Sequence, residues 1–464
     1  MLRRIFAVGL FLGLIGMQAR ADDGKWYTEG NFAPGQRLKL TLLNSLDIDR
    51  TDCPIVITRE EFPVKKLHEM WVTVVDPSLP SKTKPSSQEL AFVGGHGIRE
   101  ETNGHQIFYQ LDDLDKDGIW DELYFQTNIR AREQKTIYIY LGFSGRGWSE
   151  HGTHATIGSY CRHIIPWWES ANIGWKLWFP TSVDMYAKRK PVLMSEQMCV
   201  NNYCGYNGVP KVNPDFGSDV MGVGGSFGAG GIGLFEFQEK PDSISVPRFT
   251  PFEGEKISER NFNEDQITDT RYAFDVVVNG PMRSMIKVKT MNWNSGNGSY
   301  EIEQYYTAYT NQNYSTCRVK FTKFVPQRNG VTFGCGIKSH ADDSGNYLEK
   351  GIAIRSGSED VVDPDDDTGQ KSLRVEFVGS ALVVKDRYRP EYQKVRSLGG
   401  NHTFRVPVTE DLTFEYMIAG AWSEGVVYNT PELFRAYMKK TALEYNNPIT
   451  AKFGILETKN TAMK

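Results

Sequence analysis

The residues with the most specific chemistry lie in the stretch DLDKDGIWDEL, which begins at Asp113. It places carboxylates at alternate positions around a glycine, and such a loop wraps a hard cation that takes about six to eight oxygen ligands. The candidate metal ligands are Asp113, Asp115, Asp117, Asp121 and Glu122. The stretch differs from the helical calcium motif, because a strand-like run, LYFQTNI, follows it. We expect a structural calcium ion here, and the alternative is a solvated hairpin turn.

Candidate acid and base groups are two histidines at the ends of predicted strands. His340 ends GCGIKSH and His402 lies in LGGNHTF. An imidazole titrates near neutral pH and can therefore give or take a proton during catalysis. Arg283, in NGPMRSMIKVK, and Glu169, in PWWESANIGW, complete a polar set. We expect these four side chains to line one cleft, and the alternative is that the histidines are ordinary surface residues.

Aromatic residues are abundant, and their rings can stack on the C–H faces of sugars while polar groups bind the hydroxyls. We expect Trp168, Asn172 and Trp422 to contact a saccharide, and Tyr306 to substitute for a histidine as base or acid. The alternative is that most of the rings serve as core and cross-strand packing.

Several common sites are absent from the sequence. There is no His-Glu-x-x-His pair and no Cys/His cluster with zinc spacing. The glycine-rich run GSDVMGVGGSFGAGGIG is followed by a strand pattern rather than a helix, so it does not predict a phosphate loop. We expect its backbone to pass close to another sheet or to a sugar. No organic cofactor is expected.

The chain has 464 residues and a formal charge of -4, with 53 basic and 57 acidic side chains. This balance gives no basic footprint for nucleic acid. The first residues, MLRRIFAVGLFLGLIGMQARA, have the order of a cleaved secretory signal, and the apolar run is too short to span a bilayer. We therefore expect a periplasmic or secreted protein that is not inserted in a membrane. The oligomeric state is left open.

Cysteine pairing is open to an exported chain, because the space outside the cytoplasm permits disulfides. Cys199 and Cys204 could close a small loop. Cys317 and Cys335 lie on successive predicted strands and either bridge or remain free.

Strand patterns dominate and predict an all-β fold. ELYFQTNI and KTIYIYLGF, among others, alternate apolar and polar residues and are separated by Pro, Gly, Asp and Asn. We expect a signal peptide at 1–21, a small β-sandwich at 22–150 that carries the Asp-rich loop, and a large antiparallel β-supersandwich, galactose-mutarotase-like, at 151–464. The large domain is expected to hold the carbohydrate site.

One helix is predicted near the C-terminal end, in TPELFRAYMKKTALEY. Thr430 is a suitable N-cap, Pro431 suits the first helical position, and Glu432 lies in the first turn. Leu433, Phe434, Tyr437 and Met438 share one face. We expect that face to pack on the back of a sheet.

Several blocks of the chain resemble successive parts of one secreted bacterial family, the domain of unknown function numbered forty-eight sixty-one. The blocks are DLDKDGIWDELYFQ, PWWESANIGWKLWF, VDMYAKRKP, VGGSFGAGGIGLFE, NGPMR, GIKSH, GGNHTF, AGAWSEG and ELFRAYM. Single blocks are short, and their order is the specific feature. The resemblance implies a role in polysaccharide use, beside enzymes that remove unsaturated uronic acids from oligosaccharides, in a family of which at least one member is described as an oligosaccharide dehydratase.

On this basis we expect a carbon–oxygen lyase that acts on uronic-acid-containing oligosaccharides by β-elimination. Such a reaction needs a cation against the carboxylate, a base for the C5 proton and an acid for the departing oxygen. Arg283 is the candidate cation, and His340 and His402 are the candidate base and acid. The alternatives are a glycoside hydrolase, for which Glu169 would be one of two carboxylates, and a non-catalytic sugar-binding protein.

Overall fold

The structure is a computed structural model. It describes residues 24–28, 32–66, 72–80, 82–83, 102–103, 105–142, 151–160, 163–178, 182–195, 217–247, 270–340, 342, 346–362 and 372–459. The expected signal peptide and the expected Cys199–Cys204 loop lie outside these residues. In the described part of the chain, no helix has the length and apolar character needed to span a membrane.

The elements in chain order are almost all strands. The first eight are β1 (Gln36–Leu43), β2 (Arg50–Thr58), β3 (Val72–Val75), β4 (Lys82–Thr83), β5 (Thr102–Asn103), β6 (Tyr109–Asp112), β7 (Glu122–Ile129) and β8 (Gln134–Leu141). The next ten are β9 (Thr153–Tyr160), β10 (His163–Ser170), β11 (Ile173–Trp178), β12 (Ser182–Lys188), β13 (Gly217–Asp219), β14 (Gly231–Phe235), β15 (Arg271–Asn279), β16 (Arg283–Asn294), β17 (Gly298–Tyr309) and β18 (Tyr314–Pro326). The remainder are β19 (Thr332–Lys338), β20 (Tyr347–Glu349), β21 (Ile352–Val362), β22 (Ser372–Val384), β23 (Glu391–Val395), β24 (Asn401–Val406), β25 (Thr413–Trp422), helix α1 (Pro431–Asn446) and β26 (Thr450–Thr458).

The N-terminal part is a small sandwich of two antiparallel sheets, with strand orders β26-β1-β8-β3 and β2-β7-β6. Alternate residues of β1, namely Leu38, Leu40 and Leu42, are fully buried in the core between the sheets. The outermost strand, β26, comes from the far end of the chain and pairs with β1. The expected division assigned residues 450–458 to the large domain, and in the structure they complete a sheet of the small one.

The larger part is a second sandwich. An eight-stranded sheet, β15-β16-β17-β18-β25-β22-β21-β20, packs against a layer made of a five-stranded sheet, β13-β12-β11-β10-β9, and a four-stranded sheet, β14-β19-β24-β23. One hydrophobic core joins all three, with Ile302 from the first, Trp175 from the second and Phe404 from the third. The predicted all-β architecture of a small sandwich followed by a large antiparallel one, with a C-terminal helix, is confirmed.

Cys317 and Cys335 are both free and buried. The possible bridge between them assumed that they lie on paired strands. In the structure they belong to β18 and β19, which are in different sheets that face each other across the core. Burial raises the pKa of the Cys317 thiol to about 12, which keeps this group protonated and unreactive.

The glycine-rich run forms the seam between the five-stranded and four-stranded sheets. Gly228 bridges Val183 of β12 in parallel, and its carbonyl accepts a hydrogen bond of 2.7 Å from the Lys338 amide of β19. Its φ is +59°, and a Cβ there would lie 2.0 Å from the Val183 carbonyl oxygen. Only glycine allows both this conformation and this approach. The expectation that the run passes close to another sheet therefore holds at Gly228.

Helix α1 begins as predicted, with Thr430 as N-cap and Pro431 in the first turn. It packs on the outer face of the eight-stranded sheet through Phe434 and Met438, in a cluster with residues of β21, β22 and β25. The predicted face is partly wrong, because Leu433 is 49% exposed. At the other end of the helix, Arg50 of β2 donates a 2.8 Å hydrogen bond to the Asn447 carbonyl and so links the helix to the small sandwich.

The two sandwiches are joined by a buried ion cluster around Arg283, the first residue of β16. Its guanidinium contacts Asp112 and lies 2.6 Å from Glu122, and these carboxylates flank the Asp-rich loop. Gln110 accepts hydrogen bonds from the Met282 and Arg283 amides, at 3.0 and 3.1 Å. The side chains of Arg283 and Asp112 are 3% and 4% exposed, so each charge depends on the other for compensation.

Replacing Arg283 by alanine should lower the free energy of unfolding by about 3–5 kcal/mol, because it leaves the Asp112 carboxylate buried without its partner. Urea unfolding followed by circular dichroism measures this. The matched control is Lys287→Ala on the same strand, which breaks the partly exposed Lys287–Glu303 pair of 2.8 Å. That change should cost less than about 1 kcal/mol. Equal losses of unfolding free energy in the two variants would show that the Arg283 ion cluster between the sandwiches is no more important than a surface ion pair.

Candidate functional site

A dense group of charged and aromatic side chains lies on the five-stranded sheet, on the face turned away from the core. Along β11 and β12, alternate residues such as Trp175 and Met185 point into the core. Successive strand residues point to opposite faces, so Lys176, Asp184 and Tyr186 share the other face. All three are buried. We call Trp167, Lys176, Asp184, Tyr186 and Asp219 the lysine cluster.

Strand register assembles the lysine cluster from four strands. Trp167 of β10 is the cross-strand neighbour of Lys176, and Lys176 is the neighbour of Asp184. In the adjoining row, Tyr186 of β12 pairs with Asp219 of β13. Directly paired residues on one face have Cβ atoms about 5 Å apart, so their polar ends meet without any loop between them.

Gly174 leaves space for a second buried ion pair, formed by Lys188 and Glu169. It lies between Glu169 and Tyr186 in the same row. A Cβ on it would be 3.3 Å from the Glu169 Cβ and 3.8 Å from the Lys188 Cε. The Lys188 side chain therefore passes over this glycine to reach Glu169.

Lys176 is the centre of the cluster. Its Nζ lies 3.3 Å from Asp184 Oδ2 and 3.4 Å from Asp219 Oδ2. It also donates a hydrogen bond to the Tyr186 hydroxyl oxygen. The Trp167 ring centroid lies 5.5 Å from the same nitrogen, and the Trp167 and Tyr186 rings pack at a centroid distance of 5.2 Å. One ammonium group thus holds two carboxyl groups and a phenol beside an indole.

The two carboxyl groups of the cluster do not ionise independently. Burial, and then the nearby Asp219 charge, raises the pKa of Asp184 to about 8. Burial also raises the pKa of Asp219, against the opposing effect of Lys176 and of a hydrogen bond with Asp184. The pair therefore retains a proton near neutral pH, as expected for two carboxyl groups in contact. The proton-bearing member can serve as an acid.

Glu169, one of the predicted catalytic residues, lies on the same face but is fully engaged. Lys188 donates to it, and its Oε1 accepts from the Ser195 amide at 2.7 Å and from the Ser195 hydroxyl at 2.5 Å. Lys188 also donates to the Ser170 and Val192 carbonyls. Burial lowers the pKa of Lys188, and Glu169 opposes that effect. These contacts fix the chain after β12 against β10.

His154 lies beside this pair, with its Nδ1 2.7 Å from the Ser195 hydroxyl. The serine stands between the histidine and Glu169. A catalytic triad needs the histidine in the middle, hydrogen-bonded to both the serine and the acid. The arrangement is therefore a positioning network rather than an activated serine.

The predicted histidines belong to two other hydrogen-bond networks. His340 Nδ1 lies 2.8 Å from Glu359 Oε1, and its Nε2 lies 2.9 Å from the Ser380 hydroxyl. His402 Nε2 lies 2.9 Å from the Ser339 hydroxyl, and its Nδ1 lies 2.6 Å from the Tyr392 hydroxyl.

Both imidazoles are thus saturated on each nitrogen and buried. Burial alone would raise the pKa of Glu359, but His340 and Lys338 lower it, so the carboxylate stays charged beside the imidazole.

Arg283 and Tyr306 are both buried and bound to protein partners. Arg283 is committed to Asp112 and Glu122 at the joint between the sandwiches. Tyr306 is buried in the main core, where it stacks on Trp168 at 4.6 Å. Arg283, Glu169, His340 and His402 bind different protein partners, and the expected single cleft lined by the four stays a prediction.

The predicted substrate-binding residues are divided between the core and a small cavity. Trp168 is buried and donates its indole N–H to the Ser315 hydroxyl at 2.9 Å. Asn172 and Trp422 line one cavity of about 10 Å³ together with Lys188 and Asn313. That volume admits one water molecule and excludes a sugar ring.

The Asp-rich loop brings together three of its five predicted ligands. Carboxylate oxygens of Asp113, Asp115 and Asp117 lie within 4.8 Å of one another. Asp121 instead accepts a 2.6 Å hydrogen bond from the Leu114 amide, and Glu122 binds Arg283. The three converging carboxylates suit a hard cation, and the other two acids stabilise the hairpin that carries the loop.

Sequence reasoning missed Lys176, Asp184, Tyr186 and Asp219 as candidate site residues. A signal was present in the runs WKLW and VDMYAK, where single polar residues alternate with large apolar ones. That pattern indicates a strand with one core face and one polar face. The short strands gave no way to decide which residues on other strands would be their neighbours.

A family model described as a domain of unknown function, DUF4861, matches residues 42–451. Among curated proteins, none matches this chain. Two solved structures from Enterococcus faecalis are similar. One is an alpha-mannosidase of strain V583, with 10% identity and a TM-score of 0.42, covering 91% of this chain and 46% of that chain. The other is a protein in glycosyl hydrolase family 38, with 9% identity and a TM-score of 0.43, covering 92% and 48%. The chain thus spans about half the length of each.

The raised pKa of Asp184 should make the folded state less stable as the pH rises. In the unfolded chain this carboxyl ionises at about pH 4, whereas in the folded chain it keeps its proton up to about pH 8. The stability it contributes is complete below the lower value and is lost as the pH rises through the higher one. Asp184→Asn should remove this loss, so its melting temperature relative to the parent should increase between pH 5 and pH 9.

The control for this comparison is Glu410→Gln, which changes an exposed carboxylate. Its melting temperature should follow that of the parent across the same pH range. If Asp184→Asn also follows the parent, the carboxyl does not retain its proton in the folded state.

If the Asp-rich loop binds calcium, a chelator should lower the melting temperature of the purified protein, and added calcium should restore it. A cation at one hundred times its dissociation constant stabilises the folded state by about 2.7 kcal/mol. Asp117→Asn should abolish the response to the chelator, whereas Glu410→Gln should retain it. A melting curve of the parent that does not respond to chelator or calcium would count against the site.

Proposed function

The chain belongs to the DUF4861 family, and from that premise we propose that it is a carbohydrate-active enzyme that acts on uronic-acid-containing oligosaccharides by β-elimination. The observation that carries the proposal is the position of Lys176, whose ammonium lies between a proton-bearing carboxyl pair and a phenol on an aromatic-walled face. These are the three kinds of group that the reaction needs, and they occur within one cluster.

The cation is the first requirement. The C5 proton of a uronate is only weakly acidic while its carboxylate is fully charged, and a fixed positive group against that carboxylate stabilises the carbanion-like transition state. Lys176 takes the role that the sequence assigned to Arg283. Because its surroundings are buried, the interaction is stronger than it would be in water.

The base and the acid are the other requirements. The Tyr186 oxygen accepts a hydrogen bond from Lys176, which favours the phenolate, and the phenolate is the proposed base that takes the C5 proton and becomes the phenol. The electron pair of the C5–H bond then forms the C4–C5 double bond, and the C4–O bond breaks. Asp184, as the proton-bearing carboxyl, gives its proton to the departing oxygen. The departing oxygen leaves as water in a dehydratase or as the hydroxyl of a shortened saccharide in a lyase, and the unsaturated uronate remains.

Hydrolysis of a glycosidic bond is less well supported. Retaining and inverting hydrolases keep their two carboxyl groups at least about 5 Å apart, to leave room for the sugar carbon or for a water molecule. Asp184 and Asp219 instead share one ammonium, that of Lys176, at 3.3 and 3.4 Å. Among the described residues, the network of Glu169, Lys188 and Ser195 contains no second carboxylate.

The test is to incubate the protein with uronate oligosaccharides and to follow two readouts. Elimination creates a conjugated double bond and should raise the ultraviolet absorbance. Lys176→Met, Tyr186→Phe and Asp184→Asn should each reduce the rate by about 10²- to 10⁴-fold. The matched controls are Lys287→Met and Tyr305→Phe on the eight-stranded sheet, which should keep a rate near that of the parent.

Two outcomes would overturn the proposal. A rise in reducing ends without any change in absorbance would indicate a hydrolase. No change in either readout, with saccharide binding retained, would indicate a binding protein. Circular dichroism and urea unfolding of every variant separate loss of chemistry from loss of fold.

A further inference from the structure

The outer face of the eight-stranded sheet carries a patch of positive charge. Ile286 of β16 and Ile302 of β17 point into the main core. Successive strand residues point to opposite faces, so the residues that alternate with them lie on the outer face. Six residues of β16, β17 and β18 form two adjoining cross-strand rows there, which we call the basic face: Lys287, Tyr305 and Arg318 in one row, and Lys289, Glu303 and Lys320 in the other.

The basic face has four basic side chains and one acidic side chain, and therefore a net charge of +3 on a chain with a formal charge of -4. The carboxylate is that of Glu303, which lies 2.8 Å from Lys287. Among the described residues, Lys289, Arg318 and Lys320 form no ion pair with a carboxylate. Arg318 and Lys320 are exposed. Such a group of like charges at the surface attracts an anionic ligand.

The acids that border the basic face already have cations of their own. Asp275 of β15 lies 2.6 Å from Lys116 of the Asp-rich loop. Glu415 of β25 lies 2.6 Å from Lys385. Glu301, in the next row of β17, has a lysine of β18 as its cross-strand neighbour. The excess positive charge of the basic face is therefore not neutralised by these acids.

Tyr305 holds the Arg318 side chain in a position that suits an anion. The guanidinium carbon lies 4.7 Å from the centroid of the Tyr305 ring, and the Lys287 Nζ lies 5.4 Å from it. A cation is attracted to the face of an aromatic ring, and this attraction does not use the N–H groups at the guanidinium edge. A planar guanidinium can bind a carboxylate through two parallel hydrogen bonds. Arg318 is thus oriented by the ring and can still bind a carboxylate.

The spacing of the cations favours a polymer whose charges are well separated. Neighbouring strands are about 4.8 Å apart and alternate residues of one strand about 7 Å apart, so neighbouring cations are spaced by about 7 to 10 Å at the backbone. Double-stranded DNA carries one charge per about 1.7 Å of helix axis, which is much denser. A polysaccharide with at most one carboxylate on each sugar ring has a sparser charge and fits this spacing better.

We propose that the basic face is a binding surface for a carboxylated polysaccharide, which it holds through Arg318 and the neighbouring lysines. The lysine cluster lies on the outer face of the five-stranded sheet, on the other side of the shared core. The basic face is therefore a second site, which attaches the protein to an acidic polymer and takes no part in the reaction. The inference does not depend on the proposed β-elimination.

The experiment is native electrophoresis in gels that contain polygalacturonate, with dextran as the neutral polymer. The parent should be retarded by polygalacturonate and not by dextran. Arg318→Ala combined with Lys320→Ala removes two exposed cations, and it should raise the apparent Kd for polygalacturonate by about 5- to 30-fold. The melting temperature should stay near that of the parent, because both side chains are exposed.

The matched control is Lys394→Ala combined with Arg396→Ala, on and just after β23 of the four-stranded sheet. It removes one exposed lysine and one exposed arginine at the same spacing. The two double variants have the same net charge, so their mobilities in gels without polymer provide a common reference. The control should bind polygalacturonate with an affinity near that of the parent.

Several results would overturn the inference. They are no retardation of the parent by polygalacturonate, an unchanged affinity in the Arg318 and Lys320 double variant, and an equal loss in the control. Equally tight binding of the parent to double-stranded DNA or to phosphatidylglycerol vesicles would overturn the assignment to a polysaccharide. The double variant should also keep the parent's rate on short uronate oligosaccharides. Loss of that rate in a folded variant would show that the basic face is not a separate site.

Discussion

A buried ammonium group must be surrounded by compensating partners, and this requirement organises the five-stranded sheet. Lys176 is fully buried, and a charge in such a place is tolerated only when acidic or hydrogen-bonding groups face it. The register of β11 with β12 and of β12 with β13 supplies Asp184, Tyr186 and Asp219. A shift of one residue in either pairing would turn these side chains into the apolar core, so the chemistry and the fold depend on the same register.

The rest of the structure stabilises that sheet from several sides. The core behind it is shared with the eight-stranded sheet. The glycine-rich run, which continues from Asp219 at the end of β13, links β12 to β19 through Gly228. This link helps to fix the position of β13 and of the Asp219 carboxyl group. The Glu169–Lys188 pair holds the chain after β12. Buried polar groups thus meet partners on each side of the cluster, as a rigid site requires.

The lysine cluster differs from the residues that the sequence predicted as catalytic in how many of its hydrogen-bonding groups have protein partners. His340, His402, Arg283 and Glu169 contact protein partners that occupy their hydrogen-bonding atoms. The lysine cluster instead combines a carboxyl pair that retains a proton, an ammonium with several partners and an unpaired indole N–H. Groups whose protonation is shifted by burial and by like charges are the ones that functional sites tend to use.

The sequence by itself determined the elements and their local chemistry. Alternation predicted β7 and β8 almost to the residue, and Thr430 and Pro431 predicted the start of helix α1, because these signals depend on neighbouring residues. It also indicated the family and the all-β class. Only the tertiary structure decided which side chains meet. Arg283 binds Asp112 across 171 positions and Lys176 meets Asp219 across 43. Such contacts depend on strand order and register. These are set by the packing of whole sheets and cannot be predicted from the residues of a single strand.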